Sequence, residues 1–265
     1  YLDKTVRPPV KNLFDALADG IISLLPIASA VIAANMIMSM MVMSGLASKF
    51  SMLLMNVSGS SILLATILTG IFSLILGMGV PPVATYVLTS ALTAPTIQKL
   101  AVINGIPEEA ALLATHMFLF YYAVLAEVTP PVALSAYAAA AVMGTEPIKT
   151  GVFAARVAIP KYLIGITFIL SFSGTGLLII PMLQSLATGE AVVQIILRYL
   201  VTIIGVIFLN VAVVGYFFGD IGRLARYVVG ASAVMLFFPS TGTDVAGSAV
   251  IAAFIVRQWI QHRRM

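Results

Sequence analysis

An all-α integral membrane fold is what this sequence predicts, and three observations predict it. Of 265 residues, 61% are hydrophobic and only 9% charged, with a mean hydropathy of +1.10. A water-facing domain of that length needs far more polar surface. The apolar residues fall in runs that approach or exceed the ~20 residues a helix needs to cross a bilayer core. The basic residues stand between those runs, as membrane flanks do, so the net charge of +4 is not a nucleic-acid patch. A β-barrel would need short alternating segments, and none is seen.

The elements follow in order. Residues 1–16 are mixed, with Lys4, Arg7 and Lys11 around Pro8 and Pro9, and predict a short interfacial arm. Residues 17–46 predict a long helix kinked at Pro26 and Asn35. Residues 61–79 and 83–98 predict a pair joined at Gly77–Pro82, a hairpin over 61–98. "NGIPEE" is a turn, with Glu108 opening the next helix. The run 109–143 is interrupted at Thr129–Pro131, near its middle. A helix over 151–180 follows, then the loop "QSLATGE" and further membrane helices over 181–265, including 191–218 and 227–256. The last of these is interrupted by "PSTGTD" and ends in the basic "RQWIQHRRM", with Trp259 as an interface anchor.

Counting crossings, one side collects Lys4, Arg7, Lys11, Lys149, Arg156, Lys161, Arg223 and Arg226, and the other Lys49, Lys99 and Arg198. The first side is therefore cytoplasmic. The tail joins it if 227–256 dips in, turns at Pro239–Asp244 and returns. The opening "YLDKTVRPPVKNLFDALADG" is no signal peptide and starts on Tyr1, which points to a longer chain.

Two segments stand out, "GMGVPPVATY" from Gly77 and "VTPPVALSAY" from Val128. Proline removes a backbone donor, so carbonyls before it lose their helical partners. In lipid such carbonyls cannot stay bare, and broken helices survive where they are buried in protein or line a cavity. Loose carbonyls can coordinate cations there, and helix N-termini can face anions. The plainer reading is a turn at 80–82 and a kink at 130, and both readings stand. Glu127 is the sharpest single residue. A carboxylate at a helix centre costs about 2.5–3.5 kcal/mol on insertion scales, so it should face an interior. It would help bind a cation, carry a proton, or donate a structural hydrogen bond. His116 is on nearly the same face but ~16 Å away along the axis, and a structural hydrogen bond is expected of it. Asp244, with Ser240, Thr241 and Thr243, reads as an N-cap. Gly215 and Gly219 form a weak GxxxG packing motif. The methionines at 36, 38, 40, 41 and 43 read as soft packing. No Arg or Lys is near either break in sequence.

Several chemistries are excluded. There is no cysteine, hence no disulfide, zinc–thiolate site or thiol catalysis. His116 and His262 form no HExxH motif, and no GxxxxGK(S/T) loop exists. No Ser/His or paired-Asp arrangement suggests an intramembrane enzyme.

"LGMGVPPVATYVLTSALTAPTIQKL" followed by "HMFLFYYAVLAEVTPPVALSAYAAAAVMG" resembles the large membrane subunit of TRAP (tripartite ATP-independent periplasmic) transporters. Among them it is most similar to the C-terminal half of fused permeases that work with TAXI-type binding proteins. "MSGLASKFS" and "DALADGIISLLPIASA" also fit. The resemblance covers roughly residues 10–180 and thins beyond. It implies an elevator-type ion-coupled transporter of two inverted repeats, each with a re-entrant hairpin and a broken helix, of which residues 17–180 resemble the second. It further implies an importer of organic acids (carboxylates) in the bacterial or archaeal cytoplasmic (inner) membrane, with sodium as coupling ion and no other cofactor. The partners it implies are the N-terminal half of the permease, a small membrane subunit or its fused equivalent, and a periplasmic substrate-binding protein. By position, sodium would sit between Gly77, Met78, Gly79 and Val128, Thr129, Pro130, beside a substrate site at Gly79, Pro81, Thr85, Thr129 and Pro131. Glu127 is the candidate for proton coupling instead. One departure is Pro81-Pro82 where many relatives carry small hydroxyl residues, which leaves Thr85 as the nearby hydroxyl. The other is the missing first repeat. The alternatives are an ion channel with re-entrant loops and, for residues 181–265, an assembly role.

Overall fold

A computed structural model describes residues 10–185, 187–238 and 240–262. Lys4, Arg7, Pro8, Pro9, Pro239, Arg263 and Arg264 lie outside the described residues, as does most of the expected arm. Every regular element among the described residues is helical. The long helix α1 (Val10–Met43) runs on through the expected kink positions at Pro26 and Asn35. The turn comes later, at Gly45, whose φ of 70° suits a residue without Cβ. There the end of α1 and α2 (Leu46–Ser58) meet at 74°. Met36, Met40 and Met43 project outward rather than into a core.

The hairpin consists of α3 (Ile62–Leu76) and α4 (Pro82–Ile103). With 15 residues α3 is about 22 Å long, short of a ~30 Å bilayer core. Its packing face is built of hydroxyls and glycine: Thr66, Thr69, Gly70 and Ser73 are all buried. Small residues let membrane helices approach closely where lipid supplies no hydrophobic drive between them. Next come α5 (Glu108–Leu125), a 3-10 turn at Ala126–Val128 and, after the break, α6 (Leu134–Met143). Helix continues for 21 residues over Glu108–Val128. The break therefore follows a segment long enough to cross by itself, rather than halving one span.

The expected helix over 151–180 is corrected. It is replaced by α7 (Pro147–Val157), α8 (Ile159–Leu170), a 3-10 turn at Gly174–Leu178 and α9 (Ile180–Ser185). "SFSGTG" ends α8 because its hydroxyls compete for backbone groups. Ser171 Oγ accepts from Gly174 N–H at 3.3 Å, and Thr175 Oγ1 donates to the Phe172 carbonyl at 2.6 Å. The chain closes with α10 (Thr188–Val214), α11 (Arg223–Met235) and α12 (Thr241–His262). Gly215 is the left-handed cap of α10, with φ of 84°. The GxxxG pair is thus a turn and not a packing motif, and Gly219 faces open space.

Two cores result. One joins α3, α4, α5 and α8 around Phe118, Leu119, Leu125 and Ile169. The other joins α10, α11 and α12 around Phe208, Leu236, Phe237 and Ile251. By length and composition, Glu108–Val128, Pro147–Leu170, Gly189–Val214 and Thr241–Ile260 can each cross a membrane.

Candidate functional site

The hairpin tip and the break of α5–α6 meet. A Cβ on Gly77 would overlap the Cβ of Ala126 and lie 3.1 Å from Thr85 Cγ2. Glycine is therefore what lets the tip rest on the last turn before the break. Both Pro-Pro pairs then act on the backbone in the same way. Pro81 and Pro82 strip the i+4 donors from the Gly77 and Met78 carbonyls, and Pro130 and Pro131 strip them from Ala126 and Glu127. In each case the residue just before the prolines reclaims one carbonyl. Val80 N–H donates to Gly77 at 3.4 Å, and Thr129 N–H donates to Ala126 at 3.3 Å. The carbonyls of Met78 and Glu127 receive no such bond among the described residues. The repeat in the sequence is thus a repeat in geometry: each break carries a carbonyl freed by proline, on two elements in contact.

Three tyrosines hold the break. Tyr122 is wedged between α3 and α8, where a side chain on Gly70 would collide with its ring and one on Gly165 would crowd it at 3.1 Å. Its hydroxyl donates to the Tyr162 carbonyl at 3.2 Å. The Tyr162 hydroxyl lies 2.6 Å from Thr129 Oγ1, which itself donates to the Leu125 carbonyl at 2.6 Å. Beyond the prolines, Tyr137 Oη donates to the Pro131 carbonyl at 2.6 Å. Ala133, at φ of 37°, starts α6. Periodicity alone does not single out these tyrosines; "FYYAVL" and "PKYL" read as ordinary apolar helix.

A cavity of about 540 Å³ opens between the two breaks, lined by Gly79, Pro81, Pro82, Val124, Glu127, Val128, Leu134, Ser135 and Lys161. Of the residues expected at the site, it brings together Gly79, Pro81, Glu127 and Val128. Gly77 is buried beneath it. Met78, Pro130 and Pro131 do not line it. The Thr85 hydroxyl shares its proton between the Val80 and Pro81 carbonyls at 3.3 and 3.2 Å, and so braces the tip from behind. Thr129 is likewise engaged on its far side. Two helix N-termini, of α4 and α6, border the cavity, an arrangement that favours an anion.

Lys161 overturns the expectation that no cation is near the breaks. It was counted with the cytoplasmic flanks, but α8 brings it into the cavity, with its ammonium 5.7 Å from the centre of the Tyr121 ring. Its place in an apolar run, three residues before Ile164, was the available signal. Glu127 accepts from Ser135 Oγ at 3.3 Å, in the first turn of α6. His116 Nδ1 lies 2.8 Å from Tyr86 Oη and ties α5 to α4, the structural bond expected of it. Among the described residues no group of His, Asp or Glu is arranged to hold a metal.

A second correction concerns Asp244. The capping bond is made by Ser240 Oγ, which accepts from Thr243 N–H at 3.3 Å. Asp244 instead pairs at 3.4 Å with Arg198, which is 4% exposed and so does not report membrane sidedness.

Comparison with protein families matches residues 4–218 to the family described as "Tripartite ATP-independent periplasmic transporter, DctM component". The match continues past residue 180, through α10, and stops before α11. No curated protein and no solved structure matches significantly.

Proposed function

The chain belongs to the family of DctM components of tripartite ATP-independent periplasmic transporters, and from that premise we propose that it supplies one half of the carboxylate and sodium sites of a secondary active importer. The DctM family is one of transporter permeases, not of enzymes. The observation that carries the finer reading is the cavity itself. Glu127, whose carbonyl is left open, lines it, and the open Met78 carbonyl belongs to the residue next to the lining Gly79; such oxygens suit a hard monovalent cation. Lys161 and the N-termini of α4 and α6 suit a carboxylate on the other wall. The two charges then bind side by side, and each lowers the cost of burying the other, which is the physical basis of symport. The other half of both sites would come from the N-terminal half of the permease. A periplasmic binding protein would deliver the substrate, and a small membrane subunit would complete the complex.

The test uses the complete permease in liposomes with its binding protein. Uptake of a labelled dicarboxylate is followed with and without an inward sodium gradient, at two pH values. Sodium-dependent uptake with counterflow supports the reading, and electrogenic flux without counterflow would make the protein a channel. Lys161→Gln should raise the half-saturating substrate concentration about tenfold, the effect of losing one charged contact, with folding intact.

Glu127 favours a second reading, because its carboxylate lines the same cavity. If protons rather than sodium drive uptake, a pH gradient alone suffices and Glu127→Gln abolishes the response. A mutant pH profile that overlays the wild type removes that reading.

A further inference from the structure

A second cavity shares no lining residue with the one at the breaks and has no part in the function above. It measures about 680 Å³ and lies between α11 and α12. Gly247 on α12 packs against Leu236 and the Ser232 carbonyl at the end of α11. The start of α11 shares the cavity with the end of α12. The two helices are therefore antiparallel, and Arg223, which opens α11, stands level with Arg257 near the end of α12.

The cavity has a polar end and an apolar floor. Asp220, Gly222, Arg223, Arg257 and Gln258 line the one. Val228, Val229, Val250 and Phe254 line the other. From Arg223 to Val229 the helix advances about 9 Å, and from Arg257 back to Val250 about 10 Å. Both walls thus pass from charged to greasy in the same direction. Leu224, which is 79% exposed, and Val228 leave the groove open to the surroundings. The third arginine nearby is engaged: Arg226 donates from Nε to the Ala212 carbonyl at 2.8 Å and from an Nη to the Val213 carbonyl at 2.6 Å, closing the end of α10. Arg223 and Arg257 make no hydrogen bond or ion pair among the described residues, and Asp220 forms none with them. The first N–H groups of α11 are also uncapped by any side chain.

We propose that this groove is a binding site for an anionic phospholipid, its phosphate between Arg223 and Arg257 and one acyl chain along Val228, Val250 and Phe254. Two arginines on different helices suit one phosphate, which accepts bidentate contacts from each. A basic pocket at the rim of membrane helices with an apolar wall below is the form that lipid head-group sites take. A free phosphate would use the arginines but not the floor.

The experiment is native mass spectrometry of the complete permease, titrated with phosphatidylglycerol, phosphatidylcholine of the same chains, or inorganic phosphate. Retention of phosphatidylglycerol over phosphatidylcholine is expected. It should fall roughly 30-fold in Arg223→Gln/Arg257→Gln, from about fivefold per charge near a membrane surface. Arg223→Lys/Arg257→Lys should recover part of it. Ala253, next to Phe254, also lines the cavity; Ala253→Trp fills the floor and leaves the charges, so it should weaken lipid retention too. Equal retention of the two lipids, or a double variant that binds like wild type, overturns the proposal. Phosphate competing as well as lipid, with Ala253→Trp silent, makes it a phosphate site and overturns the lipid. Should the double variant misfold, Ala253→Trp and the lysine pair decide alone.

Discussion

The two proline breaks, at the hairpin tip and between α5 and α6, differ in kind from a third break, between α11 and α12. At the tip of α3–α4 and between α5 and α6, prolines strip carbonyls and leave those of Met78 and Glu127 open, Glu127 on the cavity wall and Met78 next to the lining residue Gly79. Between α11 and α12 carbonyls are likewise left without helical partners at Leu236, Phe237 and Phe238, and there a side chain takes each of the three. Arg198 donates to Leu236 at 3.0 Å, Thr167 Oγ1 to Phe237 at 2.8 Å and Thr243 Oγ1 to Phe238 at 2.6 Å. The charges also suit the ends they meet, Arg198 at the C-terminus of α11 and Asp244 in the first turn of α12. A break satisfied by side chains packed against it is architecture. A break with carbonyls left over, against a cavity, is available for a ligand.

The largest expected effect comes from unsealing the closed break. Arg198→Leu leaves Asp244 and the Leu236 carbonyl without their donor and should cost about 3–5 kcal/mol. Unfolding in detergent or mixed micelles measures it. Arg198→Leu/Asp244→Leu should lose clearly less, because no lone charge remains; an equal loss would mean that packing, not the pair, holds this break.

Next is the contact that joins the two open breaks. Gly77→Ala sets two Cβ atoms in the same place and should destabilise by about 1–3 kcal/mol, as overpacking does. Ala126→Gly in the same chain should restore most of it. If the second change restores stability and uptake together, the fit of tip to break is what transport requires.

The open breaks can also be closed. Pro131→Ala returns an N–H four residues after Glu127, the donor that a regular helix would offer its carbonyl. The change should leave stability equal or higher while weakening sodium activation of uptake about tenfold, the worth of one charge-assisted ligand. Unchanged sodium dependence would take that carbonyl out of the ion site.

Much of this was legible in the residues. Apolar length and the basic flanks announce membrane helices, and the two Pro-Pro-Val-Ala segments announce the breaks, because proline acts locally. What pairing decides was not legible. Lys161 and Arg198 look like flanking charges until α8 turns one into the cavity and α11–α12 enclose the other. The end of α8 at Ser171 was hidden for the opposite reason, since "SFSGTG" breaks a helix by weak hydroxyl competition that an apolar window averages away. The open carbonyls themselves follow from proline chemistry, but that Val80 and Thr129 each reclaim one is a matter of turn geometry, visible only in three dimensions.

The smallest effect probes how the open break keeps its shape. Tyr162→Phe deletes the hydroxyl 2.6 Å from Thr129 Oγ1 and keeps the ring against Tyr122. One hydrogen bond between neutral partners is worth about 1 kcal/mol, so the fold should survive with a small loss of stability. Thr129 still has the Leu125 carbonyl, so the end of α5 should stay closed. What loosens is the tie from the break to α8, the helix that carries Lys161. The coupling between ion and substrate should weaken: sodium should lower the half-saturating substrate concentration less in the variant than in the wild type, with either ligand alone affected little. If the variant loses stability but keeps that coupling, the tyrosines are scaffolding, and ion and carboxylate communicate across the cavity directly.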